Sequence, residues 1–334
     1  MIVMTHKIGV LGLHHDHVWG NLEELLRTGK AELIGAADPY EDLRNRYTDM
    51  FSGNIYEDYD ELLENPDLTA VYIFASNKVS EDLTVKAARK GLHYLVEKPM
   101  ASTLDGAKKM LQAAQDNNVR LMINWPFVWW PQLRHAIEIA EKGDIGQLWE
   151  VRYRAAHQGP VELGCSTYFC EWLYDKKLNG AGALMDYCCY GAVLCQVLLG
   201  SPQSVRGIGI NTGLKKNFDL EDNAVLILKY PNALGLTEAS WTQIGKLTSY
   251  NTTIYGSEGT LHVEPDHGGR VFLANNENPE GHPLDLPDSP HHLETASTHF
   301  LAAIEDSKLE IYPLCEARNC CLAQAILDAG IDVI

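Results

Sequence analysis

Short apolar runs alternate with helical patterns along residues 7–124, and this alternation constrains the fold more than any other feature. Runs that are apolar throughout are typical of strands buried on both faces. Helical connections between such strands favour a parallel sheet with right-handed crossovers. The sequence therefore predicts an α/β fold with a doubly wound parallel sheet. Its predicted strands cover residues 7–11, 31–37, 67–75, 94–97 and 120–124.

The pattern changes after this region. Residues 125–131 are dense in tryptophan and proline, which is typical of a junction between domains. Beyond them, alternating apolar and polar residues separated by turns predict a large, mainly antiparallel sheet in an α+β domain. Its predicted strands cover residues 148–156, 204–211, 222–230, 233–241, 249–256 and 260–264. We expect a dinucleotide-binding domain over residues 1–123 and a substrate-binding and oligomerisation domain over residues 124–334, whose last helix can pack back on the first.

Charge and composition limit the class of partner. The formal net charge of −18 argues against nucleic acid and anionic membranes, because both bind clustered lysine and arginine. The start of the chain lacks a signal-peptide pattern and no run approaches 18 apolar residues, so we expect a cytoplasmic protein without membrane spans. Eight cysteines without Cys-x-x-Cys spacing predict buried free thiols. The broad second sheet needs a cover on one face, which leads us to expect a homodimer or homotetramer.

The turn after the first strand is where a dinucleotide-binding fold places its glycine-rich loop. Gly12 opens this turn, and the second strand ends in Asp38, an acid that can accept hydrogen bonds from the adenosine ribose and that favours NAD over NADP. His14 and His17 occupy the second and third glycine positions. The side chains of His14, His15 and His17, or the following helix N-terminus, would then hold the phosphates.

The same histidines raise a second interpretation, a metal site in residues 14–17. Imidazole and carboxylate are good ligands for zinc and similar ions. Adjacent residues point in different directions, however, and no second ligand cluster is evident in the sequence. We therefore predict no metal site.

Two further strands end in polar residues at the same sheet edge. Glu97 and Lys98 follow an apolar run, and Pro99 favours an extended backbone at Lys98. An ammonium there can orient a hydroxyl or share its proton, although a surface lysine that caps the strand is the simpler interpretation of the tripeptide. Ser76 and Asn77 follow another strand and either face the nicotinamide or form a turn with an Asx cap.

The second half supplies the remaining candidates. A glycine-rich entry at residues 179–182 leads into an apolar helix with Asp186 and Tyr190 at i and i+4. A carboxylate can orient the phenol, and an ammonium such as Lys98 favours its proton release, whereas a structural tyrosine is the alternative. We also expect Asn124, Trp125 and His157 at the substrate, with packing at the domain junction or a surface histidine as the alternatives.

The order of these parts resembles the glucose-fructose oxidoreductase and inositol dehydrogenase family, often called Gfo/Idh/MocA. The resemblance covers nearly the whole chain and is carried by residues 8–12, 87–99, 143–146, 182–190 and 254–260. It implies a two-domain oxidoreductase using NAD or NADP, with Lys98 near cofactor and substrate and Asp186 in the substrate pocket. Members similar to glucose-fructose oxidoreductase and dimeric dihydrodiol dehydrogenase carry tyrosine at the position of Tyr190, which implies that this phenol is the acid or base.

Some positions depart from the family pattern. Besides His14 and His17, Ser76 stands where proline is usual, Ser80 where histidine is common, and Pro126 near a frequent arginine. Our hypothesis is hydride transfer between NAD, with NADP as second choice, and a secondary alcohol or ketone of a sugar, inositol or related polyol. The alternatives are a lyase or glycosidase that oxidises its sugar transiently with tightly bound NAD, and a non-catalytic sugar-binding or nucleotide-binding protein.

Overall fold

The computed structural model describes residues 5–216 and 218–331, which form two compact units. The first unit comprises the residues up to Asn124 together with Cys165–Gly180 and His291–Cys321. The second comprises Trp125–Gly164, Ala181–Pro290 and the residues from Leu322 onward.

The first unit contains a parallel sheet, as predicted, with six strands in the order β3-β2-β1-β4-β5-β6. Its central strands are apolar and buried except for polar residues at their ends, which explains why the sequence runs lack alternation. The elements of residues 5–124 are β1 (His6–Leu11), α1 (Val18–Arg27), β2 (Ala31–Ala37), α2 (Glu41–Met50), β3 (Asn54–Tyr56), α3 (Tyr59–Leu63), β4 (Ala70–Ile73), α4 (Asn77–Arg89), β5 (His93–Glu97), α5 (Leu104–Asp116) and β6 (Leu121–Asn124).

Gly12 determines how the turn after β1 approaches the neighbouring strand. Its φ of +90° lies in the left-handed region, and a Cβ built there would come within 2.6 Å of the Ala75 backbone nitrogen. Only glycine accepts both conditions. The turn at residues 13–17 is thereby brought against the end of β4, where the carboxyl ends of β1, β2, β4 and β5 form one edge.

Helix α4 begins at Asn77, directly after Ser76. The side chain of Ser76 accepts a hydrogen bond from the Val79 nitrogen at 3.4 Å and caps the helix. The first turn has little apolar periodicity, so its helical state depends on this cap.

Two short helices in Cys165–Gly180 also belong to the first unit, and the sequence pattern did not reveal them. They are α7 (Thr167–Leu173) and α8 (Lys176–Asn179). Ser166 caps the first helix, and its amide and hydroxyl donate to the Asp16 carboxylate at 2.7 and 2.6 Å. The amide of Asn77 donates to the Asn179 side chain at 2.8 Å. Both helices are thus attached to the edge of the sheet that carries the turn after β1.

The second unit contains an eight-stranded sheet in the order β14-β13-β12-β11-β7-β10-β9-β8. Its pairs are antiparallel, as predicted, except for the parallel pair β7 and β10. Strands β13 and β14 were not predicted, and β14 falls in a proline-rich stretch. The remaining α-helices and strands of the described residues are α6 (Pro131–Lys142), β7 (Leu148–Ala156), α9 (Cys189–Leu199), β8 (Ser204–Ile210), β9 (Asn223–Lys229), β10 (Leu234–Ser240), β11 (Asn251–Gly256), β12 (Gly259–Val263), β13 (Val271–Asn275), β14 (His282–Pro283), α10 (Ala296–Glu305) and α11 (Ala317–Ile331).

One stretch of the described residues meets a length-and-composition criterion for a membrane span. The stretch Lys176–Leu199 is long and apolar enough to cross a membrane by length and composition, but 83% of its window is buried inside the protein. A core helix passes the same test, so this is weak support for a span.

The cysteine prediction is confirmed for the thiols themselves: all eight are free, and all are buried except Cys165, which is half-buried.

Candidate functional site

The side chain of His14 bridges the ends of β2 and β4. Its Nδ1 lies 2.8 Å from Oδ2 of Asp38, and the backbone nitrogen of Ser76 donates to its Nε2 at 2.9 Å. A backbone N–H can only donate, so Nε2 is the acceptor and Nδ1 carries the hydrogen that goes to Asp38. Both side chains are buried. The imidazole therefore has a defined tautomer and a partner at each nitrogen.

Asp38 stands where a ribose-binding acid was predicted, and it already accepts three hydrogen bonds. The Leu13 nitrogen donates to Oδ2 at 2.6 Å, in addition to His14, and the Tyr40 nitrogen donates to Oδ1 at 2.9 Å. A carboxylate offers about four lone-pair sites, so most of its capacity is used within the protein. The two backbone donors hold the carboxylate at the end of β2.

His15 is enclosed by aromatic side chains. Its ring centroid lies 4.8 Å from Phe169 and 5.6 Å from Trp172, and the residue is 1% exposed. Burial, followed by the charges of His17 and Lys98, holds the pKa of His15 well below its usual value. The imidazole is therefore neutral near pH 7.

Helix α7 also contacts His14, which precedes His15 in the turn. The Trp172 indole nitrogen donates to the His14 carbonyl oxygen at 3.2 Å. Sequence reasoning missed Phe169 and Trp172. Their i, i+3 spacing is a helical signal, but a seven-residue helix is too short to show a periodic pattern.

His17 and Glu97 form a pair where β1 and β5 end. His17 Nδ1 lies 2.9 Å from Glu97 Oε1, and the Asn124 amide donates to the other carboxylate oxygen at 2.8 Å. The Asn124 amide also donates to the Asn21 side chain at 3.0 Å. Glu97 is buried, and its orientation is fixed from two sides.

The geometry around His15, His17 and Glu97 bears on the metal interpretation. Potential ligand atoms of His15, His17 and Glu97 lie within 4.8 Å of one another. Ligand atoms around tetrahedral zinc are about 3.3 Å apart, given bonds of roughly 2.0–2.1 Å. The His17–Glu97 hydrogen bond accounts for the proximity of that pair, and the positive charge of Lys98 acts on His15. This geometry favours a hydrogen-bonded pair beside a neutral imidazole over a cation site.

Lys98 is not a surface lysine. The residue is 4% exposed and follows β5 directly, so the interpretation as a solvated cap of the strand is wrong. Ser76 and Asn77 are also buried and have structural partners, since Ser76 caps α4 and Asn77 binds Asn179. The structure therefore brings most of the predicted nucleotide-binding residues to one edge of the first sheet.

In the second unit, Tyr190 is surrounded by aromatic rings. Its ring stacks on Tyr153 at 5.6 Å between centroids and meets the edges of Trp125 and Phe127 at 5.3 and 4.9 Å. Asp186 accepts a hydrogen bond from the Trp241 indole nitrogen at 3.2 Å. The turn Leu184–Cys188 is a π-helix, with i to i+5 bonding, so the two residues do not follow the α-helical spacing on which their pairing was predicted.

A cavity of about 390 Å³ in the same unit is lined by His157, Ser249 and Tyr250, among others. The Tyr250 hydroxyl lies 2.8 Å from that of Tyr187, whose ring is 6.2 Å from Tyr190. Burial, followed by the charge of Asp186, raises the pKa of Tyr187 well above its usual value. His157 is buried, so the surface interpretation is wrong. Tyr187 and Tyr250 were missed because nothing in their spacing distinguishes them from core tyrosines.

Comparison with known proteins identifies both halves of the chain. Residues 7–125 match the model of the oxidoreductase family with an NAD-binding Rossmann fold. Residues 133–262 match the model of the GFO/IDH/MocA C-terminal domain. The two matches are consecutive and cover the two regions that the sequence patterns distinguish.

The chain is also similar to individual sugar-converting enzymes. It is 24% identical to levoglucosan dehydrogenase of Pseudarthrobacter phenanthrenivorans over 62% of this chain and 58% of that enzyme. It is 28% identical to a dTDP-3,4-didehydro-2,6-dideoxy-alpha-D-glucose 3-reductase of Actinomadura kijaniata over 80% of this chain and 75% of the reductase. The fold matches the crystal structure of aldose-aldose oxidoreductase from Caulobacter crescentus with a TM-score of 0.83, 18% identity, and coverage of 98% and 97% of the two chains. The chain belongs to the Gfo/Idh/MocA family and is an NAD(P)-dependent oxidoreductase with an NAD-binding Rossmann domain.

Proposed function

We propose that this enzyme catalyses reversible hydride transfer between the nicotinamide of NAD, or of NADP, and a secondary alcohol or ketone carbon of a sugar, inositol or related polyol. One observation carries the proposal: Lys98 is buried at the carboxyl edge of a parallel sheet, where such folds bind ligands. The names of the two relatives, a levoglucosan dehydrogenase and a sugar-nucleotide 3-reductase, support the substrate class.

Tyr190 is assigned the role of exchanging a proton with the substrate hydroxyl. Its phenol takes the proton on oxidation and returns it on reduction, with Lys98 favouring the phenolate and Asp186 orienting the phenol. The Trp241 indole holds the Asp186 carboxylate in turn. Lys98 and Tyr190 belong to different units, and their convergence on one substrate carbon is part of the proposal.

The substrate is assigned to the cavity beside the Tyr187–Tyr250 pair. His157 lines this cavity, and the Gly159 nitrogen donates to its Nδ1 at 2.8 Å. Asn124 and Trp125 stay in the proposal as substrate residues, since a flat indole suits the C–H face of a sugar. The cavity volume lies within the roughly 300–1,000 Å³ of small-molecule sites.

The nucleotide is assigned to the edge of the first sheet. Gly12, the turn at residues 13–17 and Asp38 would hold its adenosine and phosphates, and residues 76–77 and 97–98 would face its nicotinamide. When bound, the nicotinamide supplies hydride donation and acceptance. The protein positions the substrate, excludes water and moves the proton.

Compartment and assembly are proposed on separate observations. Eight free thiols fit the reducing cytoplasm. Apolar side chains on strands of the second sheet are exposed, which supports a homodimer or homotetramer that covers this face. The exposed side chains are Trp149, Ile208, Ile210, Ile227 and Leu234.

The reaction can be tested by absorbance at 340 nm with NAD or NADP and a panel of sugars and inositols. We expect turnover with at least one polyol, its loss in Lys98→Met, and its retention in Lys86→Met, which changes an exposed lysine paired with Asp60. No turnover with any polyol would refute the hydride-transfer proposal. Nucleotide released on denaturation in stoichiometric amount, without net turnover, would favour the lyase or glycosidase with transient oxidation.

A further inference from the structure

His14 is hydrogen-bonded to one group at the end of β2 and to one group at the end of β4. It donates to Asp38 and accepts from the Ser76 nitrogen, and it is 6% exposed. Its ring also meets the edge of Tyr40, at 5.8 Å between centroids. The contact therefore places a side chain of the protein on the acid expected to recognise the adenosine ribose.

We propose that His14 is a specificity-determining residue that competes with the nucleotide for Asp38: the adenosine ribose reaches the carboxylate only after the imidazole has turned away. This inference uses the NAD-binding role of the first domain and is independent of the proposed substrate and reaction. It predicts a nucleotide affinity set partly by the cost of displacing one side chain.

At Asp38, one hydrogen bond from His14 is exchanged for one hydrogen bond from the ribose. When His14 leaves, the carboxylate loses one donor on Oδ2, while the Leu13 and Tyr40 nitrogens still hold it in place. A ribose hydroxyl can take the released acceptor site. The ribose then gains little over the imidazole that it replaces, and the apparent affinity is the intrinsic affinity multiplied by the fraction of molecules in which His14 is displaced.

The same contact changes the choice between NAD and NADP. A bare carboxylate at this position binds the ribose 2′-hydroxyl of NAD and repels the 2′-phosphate of NADP. An imidazole N–H directed at Asp38 satisfies the carboxylate and shields part of its charge. Removal of His14 is therefore expected to strengthen NADH binding more than NADPH binding.

The test is direct binding of NADH and NADPH to the full chain, without substrate, by calorimetry. His14→Ala is expected to lower the NADH dissociation constant about tenfold, with a smaller change for NADPH. His14→Gln is expected to stay near the wild-type value, because its amide can donate to Asp38 and accept from Ser76. His291→Ala, which removes a histidine that is 83% exposed, is expected to bind like the wild type.

A second measurement does not depend on a substitution. In protein with ¹⁵N-labelled histidine, the hydrogen-bonded Nδ1–H of His14 is expected to lose its signal or shift on saturation with NADH. Equal or weaker NADH binding in His14→Ala, absence of nucleotide binding in both proteins, or an unchanged His14 signal at saturation would each overturn the inference. Binding that behaves as predicted, in an enzyme that turns over no polyol, would refute only the proposed reaction.

Discussion

Replacement of Gly12 by alanine should disrupt the edge of the first sheet. The residue has a φ of +90°, which costs an L-residue about 1–2 kcal/mol. The new Cβ would lie 2.6 Å from the Ala75 nitrogen and 2.8 Å from the Phe74 carbonyl carbon, both backbone atoms that move only with the end of β4. Overpacking of this kind costs about 1–3 kcal/mol, so the expected loss of unfolding free energy is roughly 2–5 kcal/mol.

Thermal melting followed by circular dichroism provides the assay. A loss of this size is expected to lower the melting temperature of Gly12→Ala by about 3–7 °C. Gly20→Ala is the matched control, because Gly20 lies in α1 and an added Cβ would meet nothing within 4 Å, so this variant should gain up to about 1 kcal/mol. A melting temperature of Gly12→Ala equal to that of the wild type, or an equal loss in Gly20→Ala, would refute the reasoning.

Three further predictions concern single side chains. Tyr190→Phe is expected to lower kcat by about 10²–10⁴ with NADH affinity unchanged; retained kcat at 340 nm would remove Tyr190 from the mechanism. Ser166→Ala removes the cap of α7 and a donor to Asp16, so urea titration should show a loss of about 1–2 kcal/mol. Because the folded-state pKa of His15 is lowered, the unfolded chain binds the proton more readily, and stability should fall by up to about 1.4 kcal/mol per pH unit below about 6.5. His15→Phe should lose less stability than the wild type between pH 6.5 and 5.5, and equal losses would contradict this.

The parallel sheet could be predicted because its signal is local. Each of its central strands is apolar except at its ends, and each following helix repeats its apolar residues at helical spacing. Gly12, Asp38 and Glu97 could likewise be placed, because residues that follow parallel strands meet at one edge of the sheet.

Other features depend on contacts that the sequence pattern does not encode. His14 and Asp38 are 24 residues apart, and their hydrogen bond depends on a side-chain rotamer. The parallel pair of β7 and β10 requires knowledge of the order of distant strands. The π-helical turn at Leu184–Cys188 shifts Asp186 relative to Tyr190 by a change in backbone hydrogen bonding that residue spacing cannot reveal.

The first unit is assembled from separate segments of the chain, and this has a consequence for its biosynthesis. Its last segment, His291–Cys321, leaves the ribosome roughly 200 residues after Asn124. At about 5–20 residues per second, the nascent parallel sheet waits about 10–40 s for the helices that complete its packing. During this interval its apolar surfaces are uncovered, so we expect chains truncated before residue 291 to be retained by chaperones rather than released as a folded nucleotide-binding fragment.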